Sequence, residues 1–201
     1  PDLLTSCKRS SIFGLLSSLA VALTGDSSAR TLAKVQPVKF AAFEALYQGK
    51  SNAGLVAVGL LKNSDETIGE KNIKNFVMKI EIPGFLSVMT GGDRDAYVPG
   101  IKDLVLGTAL DNKIISVEQK MIRGRYARDL LNDYKEAKKN NNTARANEIK
   151  NIFSEKDFID EYFRYFGYAF LRSPEDAIPN VPVAFYSFHL MVMFGIFFIA
   201  L

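Results

Sequence analysis

The stretch Gln36-Pro37-Val38-Lys39-Phe40-Ala41-Ala42-Phe43-Glu44-Ala45-Leu46-Tyr47 decides how the chain is read. Pro37 has no N–H to satisfy and a φ already set for helix, so it suits a first turn. Ala41, Ala42, Ala45 and Leu46 are strong helix formers. The spacing predicts a helix over 36–48 on which Gln36, Phe40 and Glu44 stack at i, i+4 and i+8, with Tyr47 near the same face. Lys39 and Glu44 lie about 140° apart round such a helix and are poorly placed to neutralise each other. One face therefore carries an amide, an aromatic ring and a carboxylate, with an ammonium to one side. Spacing leaves two readings open: an amphipathic surface helix with solvated charges, or a face kept free for a ligand.

Working outward, an apolar segment precedes this stretch and a second closes the chain. Ile12–Thr24 is shorter than the roughly 20 residues of a membrane span. It reaches that length if extended back through Leu3, Leu4 and Cys7, with Lys8 and Arg9 snorkelling at the boundary. The other reading is a buried core helix. Gly14, Ser17, Ser18, Ala20 and Ala22 suit close helix contact in lipid. Lys8 and Arg9 before the segment, and Gly25-Asp26-Ser27-Ser28 after it, place its start in the cytoplasm and residue 25 outside. At the other end, Ile178-Pro179-Asn180-Val181-Pro182 predicts an extended entry. Val183–Leu201 is then almost wholly apolar, with His189 its one candidate cation. A lone histidine in a span is a functional candidate, whereas a methionine there is usually packing. On residues alone His189 is the first choice for a haem or metal ligand.

Composition narrows the classes. The 201 residues average apolar ends and a charged middle, at 48% hydrophobic and 23% charged. A net charge of +3 with no basic run interleaved with aromatics gives no case for nucleic acid. The single cysteine, Cys7, excludes an internal disulfide framework and a multi-cysteine metal site. Pro1 at the start and Leu201 inside an apolar run lead us to expect a fragment of a larger membrane protein.

Between the apolar ends the chain reads as mainly helical. Gly49-Lys50-Ser51-Asn52 is a turn, Ala53–Leu61 an extended packed stretch and 62–72 an exposed loop. Phe76–Ile82 reads as a short strand ended by Pro83-Gly84. Phe85–Met89 is a short apolar turn or helix closed by Gly91-Gly92, which lacks the frame of a phosphate loop. Pro99-Gly100 opens a new helical region. Ile122, Tyr126, Leu130 and Tyr134 predict an amphipathic helix over 114–138. A break at 138–142 and a shorter helix from Thr143 follow. A further helix starts at Ser154, whose hydroxyl caps it. Phe158, Tyr162, Phe166 and Phe170 form a stripe read as core packing.

Gly25-Asp26, Gln36-Pro37-x-Lys39-x-Ala41-Ala42-x-Glu44-Ala45, Ile178-Pro179-x-Val181 and Phe188-His189-Leu190-Met191-Val192, in that order, resemble subunit I of the cytochrome bd quinol oxidases. The likeness covers both ends well and 95–175 loosely. It implies an all-α membrane protein, with two transmembrane helices flanking a mainly helical extracytoplasmic loop. Residues 1–25 would be transmembrane helix six with its cytoplasmic flank, 26–181 the quinol-binding Q-loop, and 182–201 the start of helix seven.

The resemblance also implies an oxidoreductase of the respiratory chain, a ubiquinol or menaquinol oxidase of the bacterial inner membrane, that passes electrons from quinol to oxygen. Lys39 and Glu44 would be catalytic, and Gln36, Lys39, Phe40, Glu44 and Tyr47 would bind quinol. Met191 would be an axial ligand of low-spin haem b iron. His189 stands where the family often has arginine and would contact a haem propionate. A high-spin haem b and haem d would lie elsewhere in the full subunit. Implied partners are quinol, subunit II, a small accessory subunit and the lipid bilayer. The rival reading from another class is a two-span receptor with an extracytoplasmic helical ligand-binding module; a soluble four-helix domain is third.

Overall fold

The computed structural model describes residues 30–108 and 114–200, together with isolated residues 13, 14, 17, 20, 25 and 28. Most of the first apolar segment, Ile12–Thr24, and its flank Lys8 and Arg9 thus lie outside the described residues. The chain divides into two compact units, Pro1–Ile101 with Pro179–Leu201, and Lys102–Ile178.

In the first unit, α1 is Pro37–Phe43 with Pro37 in its first turn and Gln36 as N-cap. It ends at Phe43, earlier than the predicted 48, because Ala45 turns into the left-handed region at φ 46°. Leu46 N–H then donates to Ala41 O at 2.8 Å and Ala45 N–H to Ala42 O at 3.2 Å. This pair of reversed bonds satisfies the last helical carbonyls and stops the helix. Glu44 is the C-cap residue.

The all-α expectation needs correction at the next element. Leu55–Ile68 (β1) and Lys71–Ile82 (β2) form an antiparallel hairpin, joined by Gly69-Glu70 with Gly69 at φ 57°. Residues 62–72 are therefore strand and turn rather than open loop. Their polarity misleads because both faces of the outer hairpin are largely exposed, so no buried face imposes a two-residue alternation. Nearer the base, Val58, Leu60, Met78, Ile80 and Ile82 are exposed apolar residues.

Phe85–Gly91 (α2) follows, closed by Gly92 at φ 77°. Its Leu86 packs with Phe40, Ala53 and Val98 in one core cluster. Ser87 locks this core by accepting from Ala53 N–H at 2.8 Å while donating to Ala96 O at 2.8 Å.

The last helix, Val181–Ala200, belongs to the same unit and is labelled α7 below in chain order. Asn180 caps it, its Oδ1 accepting from Val183 N–H at 3.3 Å. The segment Pro174–Phe197, 24 residues, is long and apolar enough to cross a membrane.

In the second unit the described helices are α3 (Ile101–Leu106, begun at the unit boundary), α4 (Val117–Lys139), α5 (Thr143–Ser154) and α6 (Lys156–Glu161). Ser116 caps α4 by accepting from Gln119 N–H at 3.2 Å, and Asn142 caps α5 by accepting from Arg145 N–H at 3.1 Å. The predicted 114–138 helix is present, but its buried face differs. Val117, Met121, Gly124, Ala127 and Leu130 are buried, whereas Ile122 and Tyr126 are exposed. The small residues face inward because the backbone of the 3-10 helix Phe163–Phe170 runs close: a Cβ at Gly124 would collide with Tyr165 O. Ser154 does not cap α6; its hydroxyl donates to Lys150 O at 2.9 Å, and the N-cap is Glu155. Phe158 and Tyr162 stack at 5.7 Å beside Ala127, Leu130 and Ile149, with Phe166 packed against them, so three of the four stripe residues join the core. Phe170 does not: α6 breaks at Tyr162, the 3-10 turn shifts the later rings off that face, and Phe170 is exposed.

Candidate functional site

The residues singled out in the sequence sort onto two sides of α1. Gln36 and Lys39 are exposed, while Phe40, Glu44 and Tyr47 are buried. Phe40 points into the core cluster and borders a cavity of about 180 Å³, together with Pro37, Tyr97 and Val98. Gln36 borders a separate open cleft with Thr31, Leu32 and Val35. Neither of these two spaces is lined by Lys39 or Glu44. Lys39 and Phe40 are thus on α1, Gln36 and Glu44 cap its two ends and Tyr47 lies beyond it, and the five do not surround either of these spaces.

Glu44 is the chemically unusual member. It is only 3% exposed, and among the described residues its Oε2 is buried with no hydrogen-bond partner. Burial disfavours the carboxylate and pushes its pKa up to about 7, opposed by a hydrogen bond from the Val56 backbone. Such a carboxyl exchanges a proton near neutral pH, as an acid–base group must. Tyr47 differs: burial lifts its phenol to about 12, opposed by a hydrogen bond with the Lys74 backbone, and so keeps it protonated.

Lys39 lies with Nζ 6.0 Å from the Phe43 ring centroid. The Phe43 ring stacks on Phe188 of α7, centroids 4.9 Å apart and planes within 2°. One residue on along each helix, Glu44 and His189 both reach Val56 of β1. His189 Nε2–H donates to Val56 O at 2.7 Å, and its Nδ1 lies 2.9 Å from Phe185 O. Both ring nitrogens thus face carbonyl oxygens, which only accept. A metal bond or a contact with an anionic group would have to displace one of these partners. Met191, two residues further, is 62% exposed.

Sequence reasoning missed Phe43, Val56 and Phe188. Their signal was adjacency: each phenylalanine precedes a residue already singled out. Val56 acts through its backbone, which no side-chain pattern reports. Among the described residues no group of three or more His, Cys, Asp or Glu could hold a metal ion.

Comparison with known proteins gives a relative and a family. The chain is 34% identical over 98 residues to cytochrome bd-II ubiquinol oxidase subunit 1 of Escherichia coli (strain K12), a match covering 49% of this chain. That alignment spans 18% of the relative's length. The family model for cytochrome bd terminal oxidase subunit I matches residues 3–201. With the proline-started helix before the hairpin, the apolar helix Val181–Ala200 and a family match over nearly its whole length, the chain belongs to the cytochrome bd terminal oxidase subunit I family.

Proposed function

We propose that this chain is the quinol-oxidising portion of a cytochrome bd-type oxidase, working at the outer face of a bacterial cytoplasmic membrane. One observation carries the reading: Glu44 is a buried carboxyl with an oxygen unpartnered among the described residues, and it titrates near neutral pH. Oxidation of a quinol to a quinone releases two electrons and two protons, so the protein needs a proton acceptor beside the ring. Glu44, partly ionised at neutral pH, takes a proton from a quinol hydroxyl and passes it on. Lys39 donates to a quinone oxygen and stabilises the negative charge left there. Gln36 supplies an amide at the open end of α1. Phe40 and Tyr47 form the packed wall behind the helix.

The family is associated with haem, and the donor set of α7 suits one. Met191 offers an exposed thioether among exposed Leu190, Val192 and Phe194, a surface suited to a large apolar ring. Bound there, a low-spin haem b supplies a one-electron acceptor whose reduced form methionine ligation favours. High-spin haem b and haem d, and the reduction of oxygen to water, are assigned to other parts of the subunit. Subunit II and a small accessory subunit are the proposed protein partners.

Lys39→Ala tests the reading in the intact oxidase. Loss of a hydrogen bond to a charged group, worth about 1–3 kcal/mol, should weaken quinol handling by at least several-fold. Oxygen consumption from an artificial donor that bypasses quinol should persist. Parent kcat and KM with quinol would count against Lys39 at the site.

A further inference from the structure

We propose that His189 is a positioning residue for proton transfer at Glu44: its Nε2 bond to the Val56 carbonyl holds the strand residue whose backbone hydrogen-bonds the Glu44 carboxylate. The proposal rests on the reading of Glu44 as the quinol base. Its basis is the placement of one buried residue between two side chains. Val56 accepts from His189 at 2.7 Å on its carbonyl side, and its backbone bonds Glu44. A carboxylate only accepts, so the Val56 N–H is the donor.

The ring itself is clamped. Its Nδ1 is 2.9 Å from Phe185 O one turn back, and the Phe185 and His189 rings lie 4.1 Å apart. The strand, by contrast, needs holding. A two-stranded hairpin is marginal alone, and the ladder of this one is irregular between Val56 and Val58. Two other ties join the hairpin to α7. Leu61 N–H donates to Tyr186 Oη at 2.9 Å, and Phe76 packs edge-on against Phe185 at 5.5 Å. Neither tie falls on Val56, so His189 alone among these three acts at the residue that touches Glu44.

The charged and titratable groups on the surrounding elements are Lys39 on α1 and Tyr47 beyond it, Glu81 across the ladder from Val56 with Lys79 and Lys50 beside it, and Tyr186 and His189 on α7. What sets the Glu44 level is burial, opposed by the Val56 bond. Loosening Val56 should therefore leave the neutral carboxyl favoured up to higher pH.

The test is the pH profile of quinol-driven kcat in the intact oxidase, with haem spectra recorded in parallel. His189→Leu should move the limb assigned to Glu44 to higher pH and lower kcat on its acid side by up to about tenfold, the equivalent of one pH unit. His189→Gln, whose side-chain amide can stand in for Nε2–H, should restore the parent limb. His189→Asn, too short to reach Val56, should not. Tyr186→Phe removes the neighbouring tie and should leave the limb in place.

An unmoved limb in His189→Leu, with Glu44→Gln inactive, keeps Glu44 as base and overturns the positioning role. Parent kcat in Glu44→Gln would instead overturn the reading beneath it. If His189→Leu does not assemble, the infrared band of the protonated Glu44 carboxyl decides, assigned by its loss in Glu44→Gln. It should titrate at the parent pH in His189→Gln and at higher pH in His189→Asn; equal titration in both overturns the proposal.

Discussion

The Phe43 ring lies flat against that of Phe188, with planes within 2° and centroids 4.9 Å apart, tying the helix that carries Glu44 to the one that carries His189. Such pairs are worth about 0.5–1.5 kcal/mol beyond the area they bury. A double-mutant cycle of Phe43→Leu and Phe188→Leu, read by thermal unfolding of the solubilised oxidase, should give a coupling of that size. Additive effects would mean that the two rings do not support each other.

Glu44 makes stability depend on pH. Its pKa rises from 4.5 to about 7 on folding, so the native state holds the proton more tightly. The sign follows: its contribution is fully present below 4.5 and is lost as pH rises through 7. The loss amounts to roughly 3 kcal/mol at most. The unfolding midpoint should therefore fall between these pH values by more in the parent than in Glu44→Gln. Parallel curves would mean that the carboxyl is not buried as described.

Ala45 holds a left-handed φ of 46° immediately after Glu44. An L-residue there pays roughly 1–2 kcal/mol that glycine avoids. Ala45→Gly should raise the unfolding midpoint, although glycine lowers helix propensity elsewhere. A lower midpoint would show that α1 runs through residue 45.

Much of this arrangement was legible from residues, but not all. Pro37 announces the start of α1, because a missing N–H and a fixed φ are local chemistry, whereas the cap expected at Ser154 falls at Glu155. The end of α1 was not legible: nothing in Glu44-Ala45-Leu46 warns that an alanine will adopt a glycine conformation. The hairpin was half legible, through the alternation of Phe76–Ile82, and lost where Lys62–Thr67 is solvated. The face of α4 was misread because Gly124 is selected by close approach of the Tyr165 backbone, not by hydrophobicity. Lys39 and Glu44 could be picked from their residue types, but the burial that separates one from the other depends on β1 and α7, far away in sequence.

Met191→Leu keeps the shape of α7 and removes the thioether. The low-spin haem b signal in the reduced-minus-oxidised spectrum should be lost, converted to high spin or shifted to lower potential. An unchanged low-spin spectrum and potential would exclude Met191 as the axial ligand.

The most direct test of the account is the steady-state oxidation of quinol by Glu44→Gln at neutral pH. Glutamine keeps the size and hydrogen bonding of the side chain but cannot take the proton. General base catalysis contributes on the order of 10²–10⁴-fold, so kcat should fall by about 100-fold or more, with KM changed far less. Oxygen consumption from an artificial donor should remain. A variant that oxidises quinol with the parent kcat and KM would contradict the account, leaving α1 a packed structural helix with no part in the chemistry.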